Sequence, residues 1–165
     1  MRKQSGFSLI ELLIVVAIIL VIAAIAIPNL LRSRIAANEA SAVGSLRTIN
    51  TAQVTYCMTY PAHGYADDLS LLGGVAGTTA SSAGALLLDN VLGCSGATNP
   101  GSICTKGGYQ FQISGTTSLP VSTYTTTGNP VAVGQTGVRY FYSDASGVIR
   151  YNQTSIATSN DLALQ

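Results

Sequence analysis

The segment from Leu12 to Ile27, LLIVVAIILVIAAIAI, runs for sixteen residues without one polar side chain, and a single carboxylate, Glu11, stands directly before it. Nothing else in the chain limits its architecture so strongly. From Phe7 to Leu31 is 25 residues, and at about 1.5 Å per residue a helix of that length crosses a hydrocarbon layer about 30 Å thick. Twelve of the sixteen are Leu, Ile or Val; at roughly 0.3 to 0.6 kcal/mol each they favour membrane entry by about 4 to 7 kcal/mol in total. A carboxylate costs at most about 3 kcal/mol at the bilayer centre and less near an edge, so Glu11 does not overturn insertion. It either reaches back to water or meets a cation. Cutting the chain just before Phe7 would create such a cation, an α-amino group with an ordinary pKa of about 8.

Other processing routes compete. Ala24-Ile25-Ala26 has the small-x-small form of an ordinary secretory cleavage site. A lipoprotein signal needs a cysteine at its cut, and the first cysteine is Cys57. An uncleaved anchor is the remaining possibility, although Arg2 and Lys3 on one side against Arg32 and Arg34 on the other give little orientational bias.

The sequence Gly6-Phe7-Ser8-Leu9-Ile10-Glu11, with basic residues before it and an apolar run after it, resembles the type IV prepilin signal. The resemblance implies a cut by prepilin peptidase between Gly6 and Phe7, methylation of the new amino group of Phe7, and use of Glu11 in filament assembly. It extends to Pro28, placed near the end of the apolar run as in these pilins; a proline removes one backbone donor and crowds the preceding turn, so a kink or local unwinding is expected there. The implied organisation is a leader at 1–6, a transmembrane and filament-core helix at 7–31, the amphipathic half of the same helix at 32–60, and a globular head at 61–165. The implied partners are prepilin peptidase, further copies of the chain in a homopolymeric filament, the inner-membrane pilus assembly machinery, and membrane lipid before assembly. The implied location is the bacterial inner membrane and then an extracellular pilus, with adhesion, motility or DNA uptake as roles. Minor pilins and type II secretion pseudopilins share this signal. The major pseudopilin usually carries an Asp-Pro-Trp-Gly stretch and acidic calcium ligands near its C-terminus; this chain has no Trp and only Asp161 in its last fifteen residues.

Beyond Pro28 the helical pattern continues. Leu31, Ile35, Ala42, Leu46, Ile49 and Tyr56 recur at spacings of 3, 4 or 7, with polar residues such as Arg34, Ser41, Ser45, Arg47 and Thr48 between them. Pro61 disfavours helical geometry in the residue before it, so the helix is expected to stop near Tyr60. Fifteen of the seventeen glycines and four of the five prolines lie beyond Tyr60, which marks a change to strands and turns.

In that second part Tyr109 to Ile113 alternates strictly, Val121 to Thr127 is dense in β-branched residues, and Val138 to Tyr142 and Val148 to Tyr151 flank a turn at Ser143 to Gly147. These predict a four-stranded, mainly antiparallel sheet packed on the apolar face of the helix: an α+β fold of the type IV pilin kind. The head also resembles a subset of pilins in Leu88 to Leu92 (LDNVL), Lys106 to Phe111 (KGGYQF) and Tyr140 to Arg150.

Three cysteines allow three pairings, and export would permit a disulfide. Cys94 and Cys104 bracket a loop rich in Gly, Ser and Pro, and this pair is favoured; closing so short a loop is worth about 2 to 3 kcal/mol. Cys57 would then be free and buried against the sheet.

Chemistry for catalysis is thin. One His, His63, beside Pro61 and Gly64 reads as a solvated loop residue, and three Cys with one His offer no paired zinc ligands. Asp144 supplies too few oxygens for calcium. Neither a Gly-x-Ser-x-Gly elbow nor a phosphate loop is present. No cofactor, metal or catalytic residue is called for, and the reading is not that of an enzyme. A net charge of +1 leaves no footprint for nucleic acid, and the head shows neither the basic cluster nor the aromatic platform of a DNA-binding or adhesive tip subunit. Asn152-Gln153-Thr154 fits the glycosylation acceptor pattern, a triplet common by chance.

Overall fold

The computed structural model describes residues 7–75, 77–94, 101–116 and 118–164. Helix α1, Leu9–Thr59, runs from one to the other of two units, Met1–Arg34 and Ile35–Gln165.

In the first unit every described side chain from Phe7 to Arg34 is exposed except Ala23, which is half-buried. Ile18 and Leu20 are 55 % and 62 % exposed, values normal for a charged surface residue and far from those of a core. Among the described residues none buries this apolar helix. Among the described residues α1 is the one helix long and apolar enough to cross a membrane.

The second unit reverses that pattern. From Glu39 onward α1 buries Ala42, Val43, Ser45, Leu46, Ile49, Ala52, Gln53 and Tyr56, spaced by 3 and 4 so that they form one stripe. Leu31 is exposed and Ile35 half-buried, so the buried stripe begins later than the apolar periodicity suggested. The helix ends at Thr59, two residues before Pro61.

A six-stranded sheet lies against that stripe. Its strands are β1 (Cys104–Lys106), β2 (Tyr109–Gly115), β3 (Tyr124–Pro130), β4 (Tyr140–Asp144), β5 (Arg150–Asn152) and β6 (Leu162–Ala163), paired in chain order and antiparallel throughout. The α+β class holds, with the four expected strands in the middle and two short ones added at the edges. Alternation places Tyr109, Phe111, Ile113, Tyr124, Thr126, Phe141 and Ser143 inward. With Leu46, Ile49 and Tyr56 of α1, the apolar members of that set belong to one core cluster. Outward in register stand Gln112, Thr127, Tyr142 and Arg150, as a one-sided antiparallel sheet requires.

Three of the four expected strands begin two or three residues later than the sequence suggested, and in each case another acceptor holds the first backbone groups. Val121 exchanges hydrogen bonds with His63 and Tyr65 (2.8 and 3.0 Å). The N–H groups of Val138 and Arg139 both donate to the Glu39 carboxylate. Val148 donates to the Ser146 hydroxyl, and its carbonyl accepts from that of Ser143. A backbone group committed elsewhere cannot join the ladder.

The segment between α1 and β1 is held by polar staples. The Gln53 amide, fully buried, both donates to and accepts from the backbone of Ala66, each at 2.8 Å. Asp68 caps the short helix α2 (Leu69–Leu72) through Ser70 N–H at 2.8 Å and takes the N–H of Ser102 at 2.7 Å. Gly73 and Gly93 meet backbone to backbone: a Cβ on Gly73 would sit 2.4 Å from the Gly93 carbonyl oxygen, so no other residue fits without movement.

Candidate functional site at the helix start

The first described residues of the chain form a closed helix start. Ser8 precedes α1, its carbonyl accepts the N–H of Leu12 at 3.2 Å, and its own N–H donates to Glu11 Oε2 at 3.0 Å. Glu11 sits three residues after Ser8, where a carboxylate reaches back over the first turn and meets an amide that has no partner within the helix. Its negative charge also lies at the positive end of the helix dipole. Glu11 therefore has a local structural role that membrane-burial reasoning missed; the Ser-x-x-Glu spacing was the available signal. Among the described residues only Oε2 of this carboxylate is engaged. Both Phe7 and Glu11 are exposed, and Gly6 lies outside the described residues. Pro28 falls inside α1, with helix on both sides of it.

Cys94 and Cys104 are joined in a disulfide with Cα atoms 5.4 Å apart. Cys57 is free but half-exposed, not buried as anticipated, because the helix presents it between the buried Tyr56 and the exposed Met58. Near the disulfide, two of the head segments singled out above come together. Asp89 of Leu88 to Leu92 takes the N–H groups of Val91 and Leu92 on Oδ1 and Lys106 Nζ on Oδ2 at 2.6 Å. The Lys106 contact first, then the amide of Leu92, hold the Asp89 carboxyl below its usual range.

No spacing or motif pointed to Glu39. This carboxylate is 6 % exposed and accepts three hydrogen bonds from a single turn of chain: Val138 N–H at 2.9 Å, Arg139 N–H at 3.1 Å and Arg139 Nε at 2.7 Å. Burial alone would raise its pKa; the amide of Val138, then the guanidinium and amide of Arg139, outweigh it and the net shift is downward. Arg139 in turn lies over the rings of Phe141 and Tyr151, 5.7 and 5.5 Å from their centroids, and its carbonyl accepts the Tyr109 hydroxyl at 2.8 Å. Burial, and after it the charge of Glu39, push the Tyr109 phenol well above its usual range. A helix pattern of apolar residues cannot reveal such a group, because its partner lies 100 residues away.

The remaining sequence candidates serve local structure. Asp144 Oδ1 accepts the N–H of Ser146 at 2.9 Å, and Gly147 N–H closes the turn on Asp144 O. Asn152 donates to Asp161 Oδ1 at 2.8 Å and accepts Thr154 N–H at 2.9 Å. His63 is half-buried, its backbone tied to Tyr60 and Val121.

Residues 1–27 match the family model described as the prokaryotic N-terminal methylation motif. The chain is 62 % identical over 39 residues to the type IV wide pilus major component PilA4 of Thermus thermophilus, a stretch covering 24 % of this chain and 30 % of that protein. It is 44 % identical over 54 residues to the type IV major pilin protein PilA of Myxococcus xanthus, covering 33 % of this chain and 24 % of that one. The chain thus spans less than a third of the length of the curated relatives it matches. No solved structure matches it significantly. Residues 1–27 thus carry the prokaryotic N-terminal methylation motif, and over part of its length the chain resembles type IV major pilins.

Proposed function

We propose that the chain is a structural subunit of a type IV pilus. In this reading 1–6 is a leader removed by prepilin peptidase, Phe7 is the methylated N-terminus, 7–31 is the membrane and filament-core helix, 32–60 is its amphipathic continuation and 61–165 is the head. The subunit waits in the bacterial inner membrane and then enters an extracellular homopolymer with the help of an assembly machinery. The observation that carries the reading is the coincidence of the methylation motif with an apolar helix whose described side chains from Leu9 to Leu31 are exposed apart from the half-buried Ala23. Such a surface is stable only in lipid or against other apolar helices, and a filament core of identical helices replaces the one by the other. Glu11 contributes in two ways: Oε2 closes its own helix start, and Oε1 receives the amine of Phe7, from the same chain or a neighbour. The role is structural, not catalytic.

Mass spectrometry of the mature N-terminus tests the reading. A methylated Phe7 is expected; Ile27 would mean ordinary secretory cleavage and Met1 or Arg2 an uncleaved anchor. Glu11→Ala should insert and fold yet leave cells with few filaments, and normal piliation by that variant would remove the assembly role.

A further inference from the structure

The connection between β3 and β4, residues 131–139, is an exposed loop of unusual chemistry. Residues 130–138, PVAVGQTGV, carry no charged side chain, and Val131, Val133 and Val138 are 50 %, 57 % and 40 % exposed. Exposed valines on a loop are ordinary when the loop's amides face water. Here those amides are largely satisfied within the head. Val131 N–H donates to Gly108 O, Ala132 N–H to Thr136 Oγ1, Gly134 N–H to Gly137 O, and Gln135 and Thr136 N–H to Ala132 O. The N–H groups of Val138 and Arg139 go to Glu39. The cation that ends the loop, Arg139, is neutralised by the same carboxylate at 2.7 Å. Leaving water is costly for a loop mainly because its peptide groups and charges lose partners, and this loop keeps most of its partners internally.

Its location is equally specific. The Asn38 side chain donates to Thr136 O at 2.8 Å, and Glu39 binds the next turn, so the loop is tied to the fourth and fifth residues of the head unit, which begins at Ile35. The turn between β1 and β2 shares this end of the sheet, with Gly108 against Thr136 and Asn38. The opposite end of the sheet carries the turn at Asp144 to Gly147, with its carboxylate and hydroxyl.

We infer that the loop at 131–139 is a lipid-contact element: while the subunit is anchored, Val131, Val133 and Val138 rest in the headgroup layer of the membrane. The inference depends on 7–31 spanning that membrane. Exposed Arg32 and Arg34 lie between the apolar run and the head in the chain and would meet lipid phosphates. Apolar side chains of this size gain by entering the interface, and the clamp by Glu39 and Asn38 holds them without an ordering cost on contact.

The chain contains no Trp, so a single introduced Trp reports its own depth. The full-length chain carrying Val133→Trp, reconstituted in phosphatidylcholine and phosphatidylglycerol vesicles, should emit at shorter wavelength than an Ala145→Trp chain and be quenched roughly twofold or more strongly by lipids brominated near the headgroup. Val131→Trp gives a second reading should Val133→Trp misfold. Leu20→Trp serves as the reference for the spanning helix. Quenching of Leu20→Trp without quenching at 133 or 131 overturns the loop proposal alone; loss of quenching at Leu20 overturns the membrane reading beneath it. A blue shift at 133 that depends on protein-to-lipid ratio and resists bromine would mean that a second copy covers the loop, and would also overturn the proposal.

Discussion

Helix α1 contains two kinds of helical surface under one hydrogen-bonding pattern. Between Leu12 and Ile27 it is apolar all round and exposed apart from the half-buried Ala23; between Glu39 and Tyr56 it is polar on one side and buried on the other. Composition alone does not account for the contrast, because Leu46 and Ile49 at 0 % exposure are no greasier than Leu20 or Ile22 at 62 %. A sheet has formed to cover one stretch, and among the described residues none covers the other. An apolar side chain stabilises a fold only where the fold itself removes it from water; in the proposed reading, lipid or neighbouring subunits do so for the first unit.

Mutations can break this comparison. The largest effect is expected for Phe111→Ala, which empties a fully buried site between Cys104 and Gly128 in the ladder and should cost about 3 to 5 kcal/mol of head stability. Ile18→Ala, in the uncovered helix, should leave head stability unchanged. Urea unfolding of the full chain in mild detergent, followed by the near-ultraviolet circular dichroism of the tyrosines, measures both, and a head-destabilising Ile18→Ala would refute the division. Replacing Cys94 by Ser is the next largest, about 2 to 3 kcal/mol in the same assay, and a reducing agent should reproduce it in the parent chain.

Glu39→Gln sharpens the comparison by pH. The variant keeps a group able to accept from Val138 and Arg139 but loses the charge, at a cost of about 1 to 2 kcal/mol at pH 7. The folded pKa of Glu39 lies below its ordinary 4.5, so the stability contributed by ionisation is complete above that value and is lost as pH falls through the lower, folded one. The gap between parent and variant should therefore be constant from pH 7 to 5 and close below about 4.5; a gap that persists at pH 2 would assign the loss to packing instead. Smallest is Lys106→Ala. Its pair with Asp89 is exposed, 36 % and 50 % at the two side chains, so less than about 1 kcal/mol is expected, shrinking further in high salt.

Much of this molecule could be read from spacing. The apolar run, the helix stop before Pro61 and the strand at Tyr109 to Ile113 follow from patterns of period 3.6 and 2 that local physics enforces. The two edge strands escaped because three and two residues hold no measurable period. The late starts of β3, β4 and β5 escaped for a different reason: Val121, Val138 and Val148 are good strand formers whose backbone groups are claimed by His63, Glu39 and the Ser143–Ser146 turn. At the helix start the sequence pointed to Glu11 as a charge needing a cation, and the structure adds the Ser8 amide that it already holds.

Hydrophobic order by itself determined that this chain has a membrane-length apolar helix followed by a half-buried one and an antiparallel sheet, because those periodicities bury or expose side chains whatever their neighbours. Only the tertiary structure decided that Glu39 would be buried and paired to a half-exposed Arg139, and that Gln53 would pair with the backbone of Ala66. A buried polar group is tolerated only where a partner of fitting geometry arrives, and the partner of Glu39 comes from the loop before β4, a hundred residues further along the chain.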